Sequence, residues 1–430
     1  MLLANGIARG IILIQAAFCR EIMAMTIRKT VCLVWACLFL CGCASWGRKD
    51  YSKPLPRGQV ALREIAAPRA IPDFRAAFRN RDGLAKSVEN SLFYFTHPSS
   101  EKHFPYLPGI THSRAVHSLK MFKSILETAS TPDEFHRRIV AGFDVYESVG
   151  CDGKGTVLFT GYCTPIYEAS RKRAGKFKYP LYKLPPDLVK GEEGRILGRR
   201  TASGEIVPYY TRAELRRGNK LKGLELVYLK DKLEAFLVHV EGSAKLKLRD
   251  GSMFEVGYAG KNGREYKSLR KMLIEAGKLG RDRASLMSIK EYFREHPEDL
   301  DVFLPRNESF VFFRETQGGP FGSLGVPVTA YRSIATDKNK DTNTKEVYPR
   351  GCLAFIQTRM PHITRRGKVK KLPYSGFVLD HDTGGAIRSA GRADVYMGVG
   401  PEAERLAGHT VSEGRIYYLF AKRVMFRRRL

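Results

Sequence analysis

The chain has 430 residues and carries 73 Lys and Arg against 44 Asp and Glu, a formal net charge of +29. With 43% apolar and 11% aromatic residues it can bury a sizeable core, which excludes a mostly disordered chain. The 40 Gly and 21 Pro follow no period and favour many turns and short strands over a helical bundle. No apolar run reaches the roughly 18–20 residues that a bilayer span requires.

Residues 1–42 read as an address. Arg28 and Lys29 precede an apolar stretch from Val31 to Leu40, and small residues follow in Leu40-Cys41-Gly42-Cys43. A basic start, a short apolar centre and small residues at the cut describe a secretory signal peptide. Leu-x-Gly-Cys resembles the lipobox of bacterial lipoproteins, so Cys43 is expected to take a diacylglycerol, become the N-terminus and tie the protein to a membrane. Met25 or Met23 opens this unit cleanly, which puts the expected start there and leaves residues 1–24 untranslated. Cys151, Cys163 and Cys352 then remain, an odd number at irregular spacing, which is neither a disulfide framework nor a zinc site. Whether Cys151 and Cys163 pair stays open. The positive charge calls for an anionic neighbour. An exported chain rarely meets nucleic acid, so the expected partners are envelope anions, namely peptide-stem carboxylates, lactyl groups and lipid headgroups.

Along the rest of the chain, residues 43–80 are basic and Pro-rich and read as a tether. Leu84, Val88, Leu92 and Phe95 are spaced for one helix face, as are Val116, Leu119, Phe122 and Leu126. Thr131-Pro132-Asp133-Glu134 is a helix start, and that helix is expected to run to about Ala141. From Thr156 short apolar runs alternate with Gly, Pro and Asp and read as strands: Val157–Phe159, Phe236–Val240, Phe310–Phe313, Cys352–Ile356, Ser375–Leu379 and Arg415–Phe420. Lys245–Arg249, Asp250-Gly251 and Phe254–Tyr258 make a hairpin. A helix is expected near Ser268–Ala276, and Ser288-Ile289-Lys290-Glu291 reads as the capping box of another. The fold class is mainly β with peripheral helices.

The densest chemical segment runs from Leu379 through Asp380-His381-Asp382-Thr383-Gly384-Gly385 to Asp394. Period 2 on a strand puts Asp380 and Asp382 on one face, and the next strand can bring Asp394 close to Asp382. Carboxylates that share a site push one pKa upward, as a general acid near neutral pH needs, and glycoside cleavage is the commonest use of such a pair. From spacing alone these residues also read as turn formers beside glycine. Nucleophile elbows, HExxH pairs and phosphate loops do not occur.

Four blocks in order are similar to the MltA family of membrane-bound lytic murein transglycosylases. They are Thr160-Gly161-Tyr162-Cys163-Thr164-Pro165 with Tyr179–Tyr182; Val240-Glu241-Gly242-Ser243 with Gly257–Gly263; Asn307–Phe313; and Asp382-Thr383-Gly384-Gly385-Ala386-Ile387 with Asp394, Gly398 and Gly400-Pro401-Glu402-Ala403. The resemblance implies a double-psi β-barrel domain from residues 81–164 and 316–430, with a second, smaller β domain inserted at 165–315 and a glycan groove between them. It implies cleavage of the β-1,4 bond between N-acetylmuramic acid and N-acetylglucosamine without water, leaving a 1,6-anhydro end, at the periplasmic face of the outer membrane. Asp394 matches the single acid/base, Asp382 its orienting or pKa-setting partner, and Asp337 a third, structural Asp. Tyr162, Thr164, Glu241, Gly242, Ser243, Tyr258, Asn262, Gly384 and Gly385 match sugar contacts. No cofactor or metal is implied, and a monomer is expected. The chain departs from the family pattern at Cys163, Glu241, Ala244 and His239. A hydrolytic muramidase and a noncatalytic peptidoglycan-binding lipoprotein are the alternative readings.

Overall fold

The computed structural model describes residues 49–191, 195–280, 286–337, 346–384 and 387–423. The expected signal peptide and Cys43 lie outside them. The strands are β1 (Leu62–Glu64), β2 (Phe143–Ser148), β3 (Val157–Thr164), β4 (Ile166–Ser170), β5 (Tyr179–Tyr182), β6 (Leu188–Lys190), β7 (Ile196–Arg200) and β8 (Ile206–Val207). After them come β9 (Glu225–Leu229), β10 (Ala244–Leu248), β11 (Met253–Lys261), β12 (Val311–Thr316), β13 (Ser333–Thr336), β14 (Leu353–Ile363), β15 (Val369–Thr383), β16 (Arg392–Val399) and β17 (Val411–Ala421). The longer helices are α1 (Leu84–Phe95), α2 (His112–Thr128), α3 (Pro132–Gly142), α4 (Lys232–Glu241), α5 (Leu269–Glu275), α6 (Leu286–Glu295) and α7 (Gly400–His409).

Among the described residues the first sheet has the order β1-β2-β17-β14-β15-β13-β16-β3, and β3 pairs back onto β17. Six strands therefore close into a ring, with β13/β15 and β16/β3 parallel and the other ring pairs antiparallel. Closure leaves those six strands no free edge. This ring is the double-psi barrel of the expectation, and the mainly β class holds. The chain leaves it after Thr164 and builds a second sheet of order β12-β11-β10-β4-β9-β5, with the short sheet β6-β7-β8 alongside.

Phe377 on β15 stands at the centre of the larger core. Its ring lies 4.6 Å from Phe122, 5.0 Å from Phe355, 5.5 Å from Phe74 and 5.8 Å from Phe135. Helices α2 and α3 supply two of these rings, and Thr131 caps α3 by accepting from the Glu134 amide as its sequence foretold.

Three local expectations fail. Residues 61–80 do not act as a tether: β1 pairs with β2, and Ala61, Leu62, Phe74 and Ala77 are buried. Phe236–Val240 is not a strand but the second half of α4, which Asp231 caps by accepting from the Glu234 amide. Leu233, Phe236 and Leu237 face one core and Ala235 and Val238 another, so a helix buried on two sides reads as an unbroken apolar run. Ser288 lies inside α6 rather than capping it.

Phe377→Ala is expected to lower the free energy of unfolding by about 3–5 kcal/mol, because the surrounding rings cannot collapse into the space. Urea unfolding followed by circular dichroism measures it.

Candidate active site

Register builds the site. Asp394 on β16 pairs with Thr160 of β3 on one side and Ala335 of β13 on the other, and Ala335 pairs in turn with Asp382 of β15. Residues directly opposite across a ladder point to the same face. Thr160, Asp394, Ala335 and Asp382 thus form one row across four strands. The two acids stand two strand spacings apart, roughly 10 Å between Cα atoms, with only a methyl between them.

Asp380 is not part of that row. A register shift accompanies the step from Asp380, opposite Ile334, to Asp382, opposite Ala335. The extra residue, His381, makes a β-bulge and turns the two acids to opposite faces. Asp380 is 1% exposed and accepts from the Thr336 and Tyr418 hydroxyls, both at 2.8 Å, while its Oδ1 has no hydrogen-bonding partner among the described residues. Burial outweighs those bonds and pushes its carboxyl up to about 7. His381 is equally buried between Ser91 and Ser333, 2.8 and 2.9 Å from its ring nitrogens, and burial holds it neutral.

Asp394 keeps 21% of its side chain exposed. Its Oδ1 accepts from the Thr160 hydroxyl and, at 3.3 Å, from Nη2 of Arg392, which also donates to Thr160 Oγ1 at 2.9 Å. Among the described residues Oδ2 has no hydrogen-bonding partner. Burial raises the Asp394 pKa, against the Arg392 charge and the two bonds. Asp382 accepts at Oδ1 from the backbone amides of Ser323 and Thr383, each at 2.8 Å. Burial raises its pKa too, opposed first by those amides. Gly322 lets the Ser323 amide reach it, since a Cβ at 322 would stand 2.5 Å from the His381 carbonyl oxygen. Tyr162 lies two residues along β3 from Thr160 and faces Asp382. Among the described residues its buried hydroxyl makes no hydrogen bond, and burial first, then Asp382 and Asp394, hold its proton on.

The remaining expected site residues are spread more widely. Tyr162 and Tyr396 rings sit 5.1 Å apart, and the Tyr396 hydroxyl donates to the buried Thr164 at 2.9 Å. Beyond Tyr396 lies Glu241, at the end of α4. It is exposed to water, yet the surrounding protein strips enough hydration to push its carboxyl up to about 8, with Glu404 adding to the effect and Lys290 opposing it. Lys290 of α6 is ion-paired to Glu404 of α7, a tie between the second sheet's helices and the barrel. Cys163 shares this corner, and burial with both glutamates pushes its thiol up to about 12. Gly242 ends α4 at φ +77 with Tyr258, half exposed, beside it, and Ser243 follows. Asn262 stands apart. It is 2% exposed, and its amide bonds the Tyr210 and Glu308 carbonyls and the Phe310 and Arg264 amides, so it braces the loops beside the second sheet. Gly384 follows β15, and Gly385 lies outside the described residues. Asp337 is 5% exposed and accepts from the Ser389 amide at 2.7 Å. Among the described residues no disulfide joins Cys151, Cys163 or Cys352. His239 is buried between Phe310 and Phe313 and accepts from the Val311 amide.

Sequence reasoning missed Thr160, Arg392, Ser323, Lys290 and Glu404. Arg392 carried a signal, because position i−2 from Asp394 on a strand shares its face. Lys290 and Glu404, 114 residues apart, carried none.

The chain is similar in sequence and fold to known proteins. The family signature described as the MltA specific insert domain matches residues 158–314, and a 3D domain signature matches residues 332–420. The membrane-bound lytic murein transglycosylase A of Escherichia coli K12 is 31% identical over 281 residues, 65% of this chain and 69% of that protein. The crystal structure of a membrane-bound lytic murein transglycosylase from Agrobacterium tumefaciens superposes with a TM-score of 0.66 at 25% identity, covering 84% of this chain and 98% of that one. Escherichia coli MltA with bound chitohexaose gives 0.61 at 25% identity, covering 88% and 98%.

Asp380 yields a pH-dependent prediction. Its folded pKa lies above the unfolded carboxylate value near 4, so the stability it contributes is complete below about pH 4 and is lost as pH rises through about 7. Asp380→Asn removes that loss. Relative to wild type, its unfolding free energy should rise between pH 4 and 7, by on the order of a few kcal/mol, in urea titrations at both pH values.

Proposed function

The chain belongs to the MltA family of lytic murein transglycosylases, enzymes that act on peptidoglycan, and from that premise we propose that it cuts the β-1,4 bond between N-acetylmuramic acid and N-acetylglucosamine without water. Asp394 is the acid and then the base. Its Oδ2 proton passes to the glycosidic oxygen as the bond to the muramic C1 breaks, and the N-acetylglucosamine end leaves with a free 4-hydroxyl. The C6 hydroxyl of the same muramic residue attacks C1, its proton goes to Oδ2, and a 1,6-anhydro ring closes. Atoms and charge balance within the substrate, and the carboxyl returns to its starting state.

The carrying observation is the seating of Asp394. Burial favours its protonated form, Thr160 and Arg392 occupy Oδ1, and Oδ2 remains for the sugar. Asp382 and Tyr162 on the same face would steady the charge that develops on the sugar ring. The Tyr162 hydroxyl, buried beside Asp382 and without a geometrically formed hydrogen bond among the described residues, is the polar group a bound sugar would satisfy. Glu241, Gly242, Ser243 and Tyr258 would extend the groove, with Gly384 and Gly385 at the barrel side. We also propose that a lipid on Cys43 holds the chain to the periplasmic face of the outer membrane and that it works as a monomer. Among the described residues no helix is long and apolar enough to cross a membrane.

Purified sacculi test the chemistry. Wild type should release muropeptides with 1,6-anhydro ends, seen by mass spectrometry, and Asp394→Asn should fold yet lose about a thousandfold or more in rate. Reducing ends in place of anhydro ends would assign a hydrolytic muramidase, and binding without soluble product a noncatalytic protein. Cys43→Ser should move the protein from the membrane to the soluble fraction, and retention on the membrane would refute the lipid.

A further inference from the structure

We propose that Arg392 is a positioning residue of the reaction: it locks the Thr160 hydroxyl and Oδ1 of Asp394 into one unit, so that Oδ2 alone carries the proton. The proposal rests on the acid/base reading of Asp394 and deepens it.

One guanidinium nitrogen makes both contacts. Nη2 of Arg392 donates to Thr160 Oγ1 at 2.9 Å and to Asp394 Oδ1 at 3.3 Å, and the Thr160 hydroxyl donates its own proton to Oδ1. The strand pattern sets this up: Arg392 and Asp394 are two residues apart on β16, so both project to the face that carries Thr160. Arg392 is 21% exposed, as is Asp394, so water screens the pair only in part.

The two donors make the carboxyl oxygens unequal. A proton on Oδ1 would collide with the hydrogens that Thr160 and Arg392 already direct there. The neutral acid therefore holds its proton on Oδ2, the oxygen without a partner. Once that proton leaves for the glycosidic oxygen, the negative charge spreads onto Oδ1, where a cation and a hydroxyl are already in place. Both interactions strengthen as the charge develops, which is the condition for lowering a barrier rather than merely binding substrate. Burial alone would make Asp394 a reluctant acid, and Arg392 offsets that reluctance.

Other titratable groups around the acid do not take this role. Asp382 lies across Ala335 and is bonded by the Ser323 and Thr383 amides. Tyr162 on β3 faces Asp382. Asp337, past β13, holds the Ser389 amide and lies 3.8 Å from Arg388. Glu413 on β17 accepts from the Tyr51 hydroxyl at 2.6 Å. Among the described residues, Arg392 is the cation bonded to Asp394.

Turnover of soluble glycan strands as a function of pH tests the proposal. The alkaline limb of kcat/KM reports loss of the Asp394 proton. Arg392→Gln should move that limb upward by about one pH unit and lower kcat by about 10- to 100-fold, with KM within about twofold. Arg392→Lys, which keeps the charge, should leave the limb within a few tenths of a unit of wild type and lose about tenfold or less. A limb unmoved in Arg392→Gln, or a defect confined to KM, overturns the proposal. Thermal melting checks that the variants fold. If the Gln variant does not, the Lys variant decides: a limb displaced as far as a full pH unit overturns the proposal, and one that stays supports it. Asp394→Asn is run alongside. Retained turnover there sinks the acid/base reading itself, whereas a dead Asp394→Asn with an unmoved Arg392→Gln limb sinks only the role of Arg392.

Discussion

The arrangement depends on one row of side chains across four barrel strands, Thr160, Asp394, Ala335 and Asp382. Strand spacing fixes the distance between the two acids, and only the Ala335 methyl stands between them on that row. Because β13 is parallel to β15 and antiparallel to β16, residues from widely separated parts of the chain meet in that row. A slip of one residue in either pairing would send an acid to the opposite face. The β-bulge at His381 already does so to Asp380, leaving one carboxyl for the core and one for the site.

Glycines and helices hold the row in place. α7 lies against β3 where Gly161 has no side chain: a Cβ there would stand 2.8 Å from the Ala407 Cα. The same helix carries Glu404 to its ion pair with Lys290, so the element that braces β3 is also tied to α6. Glu241, next to that pair, adds its charge to the surroundings of Tyr396. Glu241 is ionisable, so it gives this corner a charge that depends on pH.

Much of the fold was legible locally. The Thr131 cap, the hairpin around Asp250-Gly251 and the apolar strands from Leu353 onward are short-range patterns, and each forms where it is read. The misreadings share a cause. α4 is buried on both sides, which erases the helical period, and residues 61–80 look like a linker because their apolar members follow no helix or strand period, although Leu62 and Phe74 are buried. Asn262 sits in a family block and resembles a ligand contact, but its amide serves four backbone groups.

By itself the sequence determined the chemical inventory: a carboxyl on a late strand, a second acid twelve residues before it, glycines around the turn, and the family to which these motifs belong. Only the tertiary structure decided which acids share a face, which oxygen of Asp394 is left open, and that Thr160 and Arg392 hold the other. Side-chain direction along a strand follows from local alternation until a bulge intervenes. The partner across a ladder, more than two hundred residues away in the case of Thr160 and Asp394, is set by barrel closure, and no local pattern encodes it.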